Sequence, residues 1–169
     1  MIAWDRTRLG EVTDLCSGFA FKSAQWRDGG VPVVKISNVK HGSLDLSGCS
    51  YVTPEDAERS RFLLSSGDIL VGLTGHVGSI CRVPSDDPIV LNQRVGVFRP
   101  NGEKVYPDFL YFLVFCDAFK SRVVAAAYGS AQPNVSPRQI LDFEIDLPPL
   151  SEQREIASVL GALDDKIEL

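Results

Sequence analysis

Two histidines, His41 and His76, and four cysteines, Cys16, Cys49, Cys81 and Cys116, are the side chains of this 169-residue sequence best suited to nucleophilic or metal chemistry. Their spacing argues against both. The cysteines are dispersed with no CxxC pair, whereas a zinc site usually brings at least two ligands close together in sequence. No motif pairs either histidine with a nucleophile, and GxSxG, P-loop, HExxH and GxGxxG patterns are all absent. Asp86–Asp87 and Asp164–Asp165 fall at turn or surface positions, where carboxylates are solvated. Cysteines in GEVTDLC, SICRV and FLVFC are expected to be buried free thiols behaving as small hydrophobes. The pattern describes a domain that binds and does not catalyse, with no cofactor and no metal expected.

The elements that must present such a binding surface are short. LGEVTDLC (9–16), VPVVKIS (31–37), DILVGLT (68–74), SICRVP (79–84), PIVLNQ (88–93) and RVGVFRP (94–100) carry β-branched residues between glycine and proline punctuation and read as strands. TGHVG (74–78) is a glycine turn. Thr53 followed by Pro54 and acids predicts a capped helix start. Residues 107–128 are apolar nearly all round and predict a buried helix or helix pair. GSAQPNVS (129–136) is a loop leading to a Ser136–Pro137 helix start, and DFEIDLPP alternates like a strand with one buried face. The fold class expected is α+β: a mostly antiparallel or mixed sheet with a central helical segment and a C-terminal amphipathic, coiled-coil-like helix.

That last helix follows two prolines. Ser151 is its expected N-cap, with Glu152 and Glu155 in the first turn where the helix dipole favours acids. Ile156, Leu160, Leu163 and Ile167 repeat at four, three and four residues, a heptad seam. The seam either packs back on its own domain or meets a partner. The expected division is 1–149 for the body and 150–169 for the helix.

Hydrophobic residues make up 44% of the chain and charged residues 23%, ordinary proportions for a globular protein. No run approaches the ~20 apolar residues of a membrane span, and MIAWDRTRLG lacks the layout of a signal peptide. A cytoplasmic address with no membrane partner is expected. The net charge of −5 is unevenly spread. Residues 142–169 hold eight acids and two bases, while 1–141 hold fourteen acids and fifteen bases. The body is therefore free to carry a basic face towards nucleic acid.

GFAFKSAQW (18–26), VPVVKISNVKHGSLD (31–45), GDILVGLTGHVG (67–78), LNQRVGVFRP (91–100), GSAQPNVS (129–136) and LPPLSEQREIASVLGALDDKIE (147–168) resemble, in order, the specificity subunit of type I restriction-modification systems. The resemblance covers nearly the whole chain. It implies a target recognition domain that reads one half of a split DNA sequence without catalysis, followed by the start of a spacer helix. The implied partners are duplex DNA, adenine-N6 methyltransferase subunits, restriction subunits and a second specificity half. With one recognition domain and a short spacer, the chain corresponds to a dimerising half-subunit or, as favoured by the unbroken pattern at DDKIEL, to a fragment of a longer protein.

On this resemblance Gly18, Phe19, Phe21, Gly67, Asp68, Gly75, Gly78 and Pro133 are expected to fix the fold. Lys22, Lys35 and Arg94 are candidates for phosphate contacts, which position a protein without specifying sequence. Base readers are expected among Asn38, Lys40, His41, His76, Gln132, Asn134 and Arg138, since arginine reads guanine and Asn or Gln reads adenine through paired hydrogen bonds. The alternative role is a non-catalytic assembly module acting through the C-terminal helix.

Overall fold

A computed structural model describes residues 4–127 and 132–167, with side chains as far as Asp164. The elements run β1 (Asp5–Arg8), β2 (Thr13–Ser17), β3 (Val31–Val34), β4 (Ser50–Val52), α1 (Pro54–Ser60), β5 (Ile69–Gly72), β6 (Ile80–Arg82), β7 (Val90–Leu91) and β8 (Val95–Pro100). Then follow α2 (Pro107–Phe115), α3 (Asp117–Ala126), α4 (Pro137–Leu141), β9 (Glu144–Leu147) and α5 (Leu150–Ile167). This is an α+β fold with an antiparallel central sheet of order β2-β8-β5-β6. A mixed sheet, β4-β3-β7, pairs β3 with β4 antiparallel and with β7 parallel. β1 and β9 form a separate antiparallel pair.

The two central strands of this sheet, β5 and β8, are buried on both faces, which explains their near-continuous apolar runs. Successive strand residues point to opposite sides. Ile69, Val71 and Phe98 join Leu110, Val114, Phe119 and Val123 on the helical side. Leu70, Val95 and Val97 instead meet Val34 and Leu91 from the mixed sheet. A third cluster, Phe21, Val31, Val33, Val52, Ala57 and Val90, closes that sheet's far face under α1.

Local chemistry sets the boundaries. The Thr53 side chain accepts from the Asp56 N–H at 3.2 Å, and Ser136 accepts from the Gln139 N–H at 3.3 Å, each with proline at the first helical position. The long apolar segment becomes a helix pair because Cys116 takes extended dihedrals, φ −65° and ψ 150°. LGEVTDLC is not one strand. Its first residues, Leu9–Glu11, form a 3-10 turn that buries Leu9 beside Val12, and pairing begins at Thr13. Of the thiols expected inside, only Cys81 is buried, and desolvation raises its pKa to about 12. Cys16 and Cys116 are exposed because their side chains lie on the outward side of β2 and at the α2–α3 break.

α5 starts at Leu150, so Ser151 lies inside the first turn and does not cap it. The helix packs on α2. Its root is held by Gln153, 1% exposed, whose Oε1 accepts from the Tyr106 N–H at 2.7 Å. The same amide donates through Nε2 to the carbonyls of Lys104, at 3.1 Å, and Pro148, at 2.8 Å. Ala157 is buried one turn on and Ile156 is partly buried against the core, while Val159, Leu160 and Leu163 are exposed. The heptad seam is thus divided between body and solvent, and the Ile167 side chain lies outside the described residues.

Removing the Gln153 amide leaves buried backbone groups without partners, each worth about 1–3 kcal/mol. Gln153→Ala is expected to lower unfolding free energy by about 2–3 kcal/mol in urea titrations followed by circular dichroism. A change under about 0.5 kcal/mol, the range of neutral surface substitutions, contradicts the anchoring role.

Candidate nucleic-acid interface

The antiparallel register of the central sheet gathers the ends of its four strands. Ser17 faces Gly96, Val95 faces Gly72, and Val71 faces Ile80, so the β5–β6 turn and the segments after β2 and before β8 leave from one end. Main-chain hydrogen bonds extend the sheet into a fringe there. Phe19 donates to the Leu91 carbonyl at 2.8 Å, Gln93 to that of Phe19 at 3.1 Å, and Leu73 to that of Arg94 at 3.1 Å. Gly75 donates to Pro133 at 2.8 Å and Val135 to Leu73 at 2.9 Å. These bonds zip residues 133–135 onto the β5–β6 turn. The Thr74 hydroxyl adds a 2.8 Å bond to Asn134 Oδ1.

Two glycines in GLTGHVG permit this arrangement. A Cβ on Gly72 would lie 2.4 Å from the His76 carbonyl oxygen and 2.7 Å from Ile36 Cδ1. Gly75 takes φ +73°, where a side chain is strained.

A further loop joins beside β6. The Gly42 N–H donates to the Ile80 carbonyl at 2.8 Å, and His41 Nδ1 accepts the Ile80 N–H at 3.4 Å. The imidazole stacks on Phe115, centroids 4.3 Å apart and planes 10° from parallel. Phe115 in turn lies nearly parallel to Tyr111, with 5.2 Å between centroids, and Tyr111 carries the Arg82 guanidinium 3.9 Å from its centroid. The loop tip is therefore seated on α2. Desolvation lowers the His41 pKa below its ordinary 6.5, with Lys120 acting in the same direction and Asp117 against it.

The sequence-expected residues divide. His76 is exposed in the β5–β6 turn, and Gln132, Asn134, Lys22 and Arg94 are exposed on the fringe segments. Arg138 is exposed in the first turn of α4, directly after residues 133–135. Lys40 is exposed with its ammonium on the Ser37 carbonyl at 2.8 Å. Two others are turned inward. Asn38 is 4% exposed, accepts from the Lys35 N–H at 2.9 Å and donates to the Asp45 carbonyl at 2.8 Å, so its amide is spent on the loop. The Lys35 ammonium bonds Ser50 Oγ and sits 4.5 Å from the Trp26 ring centroid, which leaves it packed and internally bonded.

The four ion pairs among the described residues lie away from this end. Arg99 pairs with Asp68 and Arg82 with Asp108 at the opposite end of the sheet, and Arg6 and Arg8 pair with Glu144 and Asp142 beside β1 and β9. Lys22, Arg94 and Arg138 make no ion pair among the described residues. Cations left unpaired on one end of a sheet offer sites for an external polyanion. Among the described residues, no three His, Cys, Asp or Glu side chains converge as a metal site requires, and no helix is long and apolar enough to cross a membrane.

Sequence reasoning passed over Gln93 and Thr74. Gln93 is exposed in the turn between β7 and β8, and its only signal was the junction of two strand-like runs at LNQ|RVG. Thr74 gave none, because its role is to hold Asn134 across 60 residues of sequence.

A family model described as the type I restriction modification DNA specificity domain matches residues 1–169. The MjaVIII type I restriction enzyme specificity subunit of Methanocaldococcus jannaschii is 33% identical over 173 residues, covering 98% of this chain and 40% of that protein. The EcoBI specificity subunit of Escherichia coli is 28% identical over 163 residues, covering 95% and 32%. The HsdS subunit of Thermoanaerobacter tengcongensis has a similar fold, with a TM-score of 0.70 at 19% identity over 99% of this chain and 39% of that one. A chain from a structure concerned with complex assembly and conformational transition of the type I R-M system gives 0.74 at 18%, over 99% and 40%. This chain spans well under half the length of these relatives.

The seating of His41 is testable by pH. A histidine with a lowered folded pKa adds stability above its unfolded value near 6.5, and that stability is lost as pH falls through the folded pKa. His41→Phe is expected to flatten part of the fall in urea midpoint between neutral and mildly acidic pH. An identical pH slope in both proteins contradicts the seating.

Proposed function

The chain belongs to the type I restriction-modification DNA specificity family, and from that premise we propose that it is a DNA recognition domain with no chemistry of its own. It reads one half of a split duplex target through the fringe. A second recognition half, on the same polypeptide or in a second copy, reads the other. Adenine-N6 methyltransferase subunits carry out modification and restriction subunits cleavage, both directed by where the recognition halves settle.

The observation that carries this reading is the set of exposed cations beside the converging loops. Lys22, Arg94 and Arg138 are unpaired where the loops converge, while Arg82 and Arg99 are neutralised at the other end. Exposed cations of this kind bind phosphate and release counterions, so affinity falls as salt rises. A fluorescence titration of duplex DNA at low salt, with the methyltransferase subunits present, should give salt-sensitive binding. No affinity under those conditions defeats the proposal. Arg94→Ala should weaken binding evenly across sequences and reduce the log–log salt slope by about 1. A loss confined to particular sequences would make Arg94 a base reader instead.

The exposed Val159, Leu160 and Leu163 favour a second role for α5, in assembly. Glu152, Glu155, Ile156, Val159 and Leu160 line a shallow groove along the helix. In this reading α5 docks the methyltransferase subunits or the second recognition half. Leu160→Glu combined with Leu163→Glu should abolish that association in sedimentation runs while leaving the circular dichroism of the chain unchanged. Unaltered sedimentation of the complex removes the assembly role.

A further inference from the structure

Residues that set one target apart from another belong outside the stretches a family holds in common. The helix α3 lies in such a segment, between LNQRVGVFRP (91–100) and GSAQPNVS (129–136), and it borders the fringe along its length. A Cβ on Gly78 would lie 3.3 Å from Val123 Cβ and 3.4 Å from Lys120 Cγ, so α3 runs directly against the β5–β6 turn. At its start, Phe115 carries the stacked His41 ring, and both Lys120 and Asp117 act electrostatically on that imidazole. At its end, the Ala126 carbonyl accepts from Gln139 Nε2 at 3.4 Å. That bond ties α3 to α4, which follows the residues zipped onto the same turn.

The faces of α3 are distinct. Phe119 and Val123 are buried in the helical layer. Arg122 leans the other way, its guanidinium 4.4 Å from the Phe143 centroid and donating to the Glu144 carbonyl at 2.9 Å. With 3.6 residues per turn, Asp117, Lys120, Ser121 and Val124 share the side turned from Arg122 towards the β5–β6 turn and the His41 loop. Together with Ala125 they line a shallow groove. Val124 is 46% exposed, and the side chains of Lys120 and Ser121 make no hydrogen bond or ion pair among the described residues.

The composition of this side is the telling feature. A surface that only grips phosphate carries cations alone. Here a donor (Lys120), an acceptor (Asp117), a hydroxyl that is both (Ser121) and an exposed apolar group (Val124) stand within two helical turns. Base edges in the major groove offer the same variety: acceptors on guanine, an amino donor on cytosine and a methyl group on thymine. Ten residues at a rise of about 1.5 Å make a rod of about 15 Å, and the groove, about 12 Å wide, admits a helix. Phosphate-holding cations are already at hand in Lys22, Arg94 and Arg138.

Resting on the DNA-recognition reading above, we propose that α3 is the specificity-determining helix of this chain, laying the side formed by Asp117, Lys120, Ser121 and Val124 in the major groove of the half-site. Lys120 reads a guanine through O6 and N7, and Val124 meets a thymine methyl, while the fringe cations hold the flanking phosphates.

The test is selection of duplexes from a randomised library by the chain with its methyltransferase subunits, repeated with Lys120→Ala and with Val124→Ala. The wild-type chain should enrich a half-site with a G·C pair that Lys120→Ala no longer distinguishes, a discrimination loss of about 5- to 150-fold at that position alone. Val124→Ala should weaken a preference for thymine at a neighbouring position. A motif unchanged in both variants, whether affinity is kept or falls evenly across sequences, overturns the assignment while the DNA-recognition reading stands. An unchanged motif with weakened sedimentation of the methyltransferase complex makes this side a protein contact and equally overturns it. No enrichment by the wild-type chain overturns the reading and the assignment together. Neither side chain is buried, so circular dichroism of both variants should match the wild type, which separates lost reading from lost fold.

Discussion

Burial of β5 on both faces is the constraint from which the rest of the molecule follows. Ile69, Leu70, Val71 and Gly72 are all inside, and no polar side chain is tolerated among them. A strand so placed needs a helical layer on one side and a second sheet on the other, and the chain supplies α2 with α3 and β4-β3-β7. With β5 and β8 fixed by apolar contact and ladder bonds, the end of the sheet becomes a rigid rim. The loops there hang on that core, with Leu73, Val77 and Val135 packed into it.

This separation shows in the kinds of bond used. The fringe is joined mainly by backbone N–H and carbonyl groups, which every residue except proline can provide in full. Its exposed polar side chains are thereby largely released from structural duty, with Thr74–Asn134 the main exception, while Leu73, Val77 and Val135 pack into the core. Asn38 and Lys35 lie close by in sequence to exposed residues yet belong to the opposite category, since their polar ends close the loop that carries Lys40 and His41.

Much of this was legible in the sequence where a local rule operates. Thr53–Pro54 and Ser136–Pro137 announced helix starts because capping needs only neighbours within three residues. The glycine turn at 74–78 was equally plain. β1 and β4 were missed: DRTR has mostly exposed side chains and pairs only with β9, and SYV is three residues long. Neither carries the alternation that marks a half-buried strand. Among loop residues, a polar side chain looks the same whether its amide faces water or a distant carbonyl. The difference between Asn38 and Gln93 is tertiary, as is the difference between Ile156 and Leu160 on one amphipathic helix.

The three hydrogen bonds of Gln153 also define an angle. They sit near the root of an 18-residue helix, which at a rise of 1.5 Å per residue extends about 27 Å. A tilt of about 10° at the root would carry the tip through about 5 Å, more than the 3.4 Å step along one DNA strand. One buried carboxamide, away from the loop-bearing rim, therefore works as the set screw of a lever. Together with the packing of α5 on α2, it sets the direction in which the helix leaves the body.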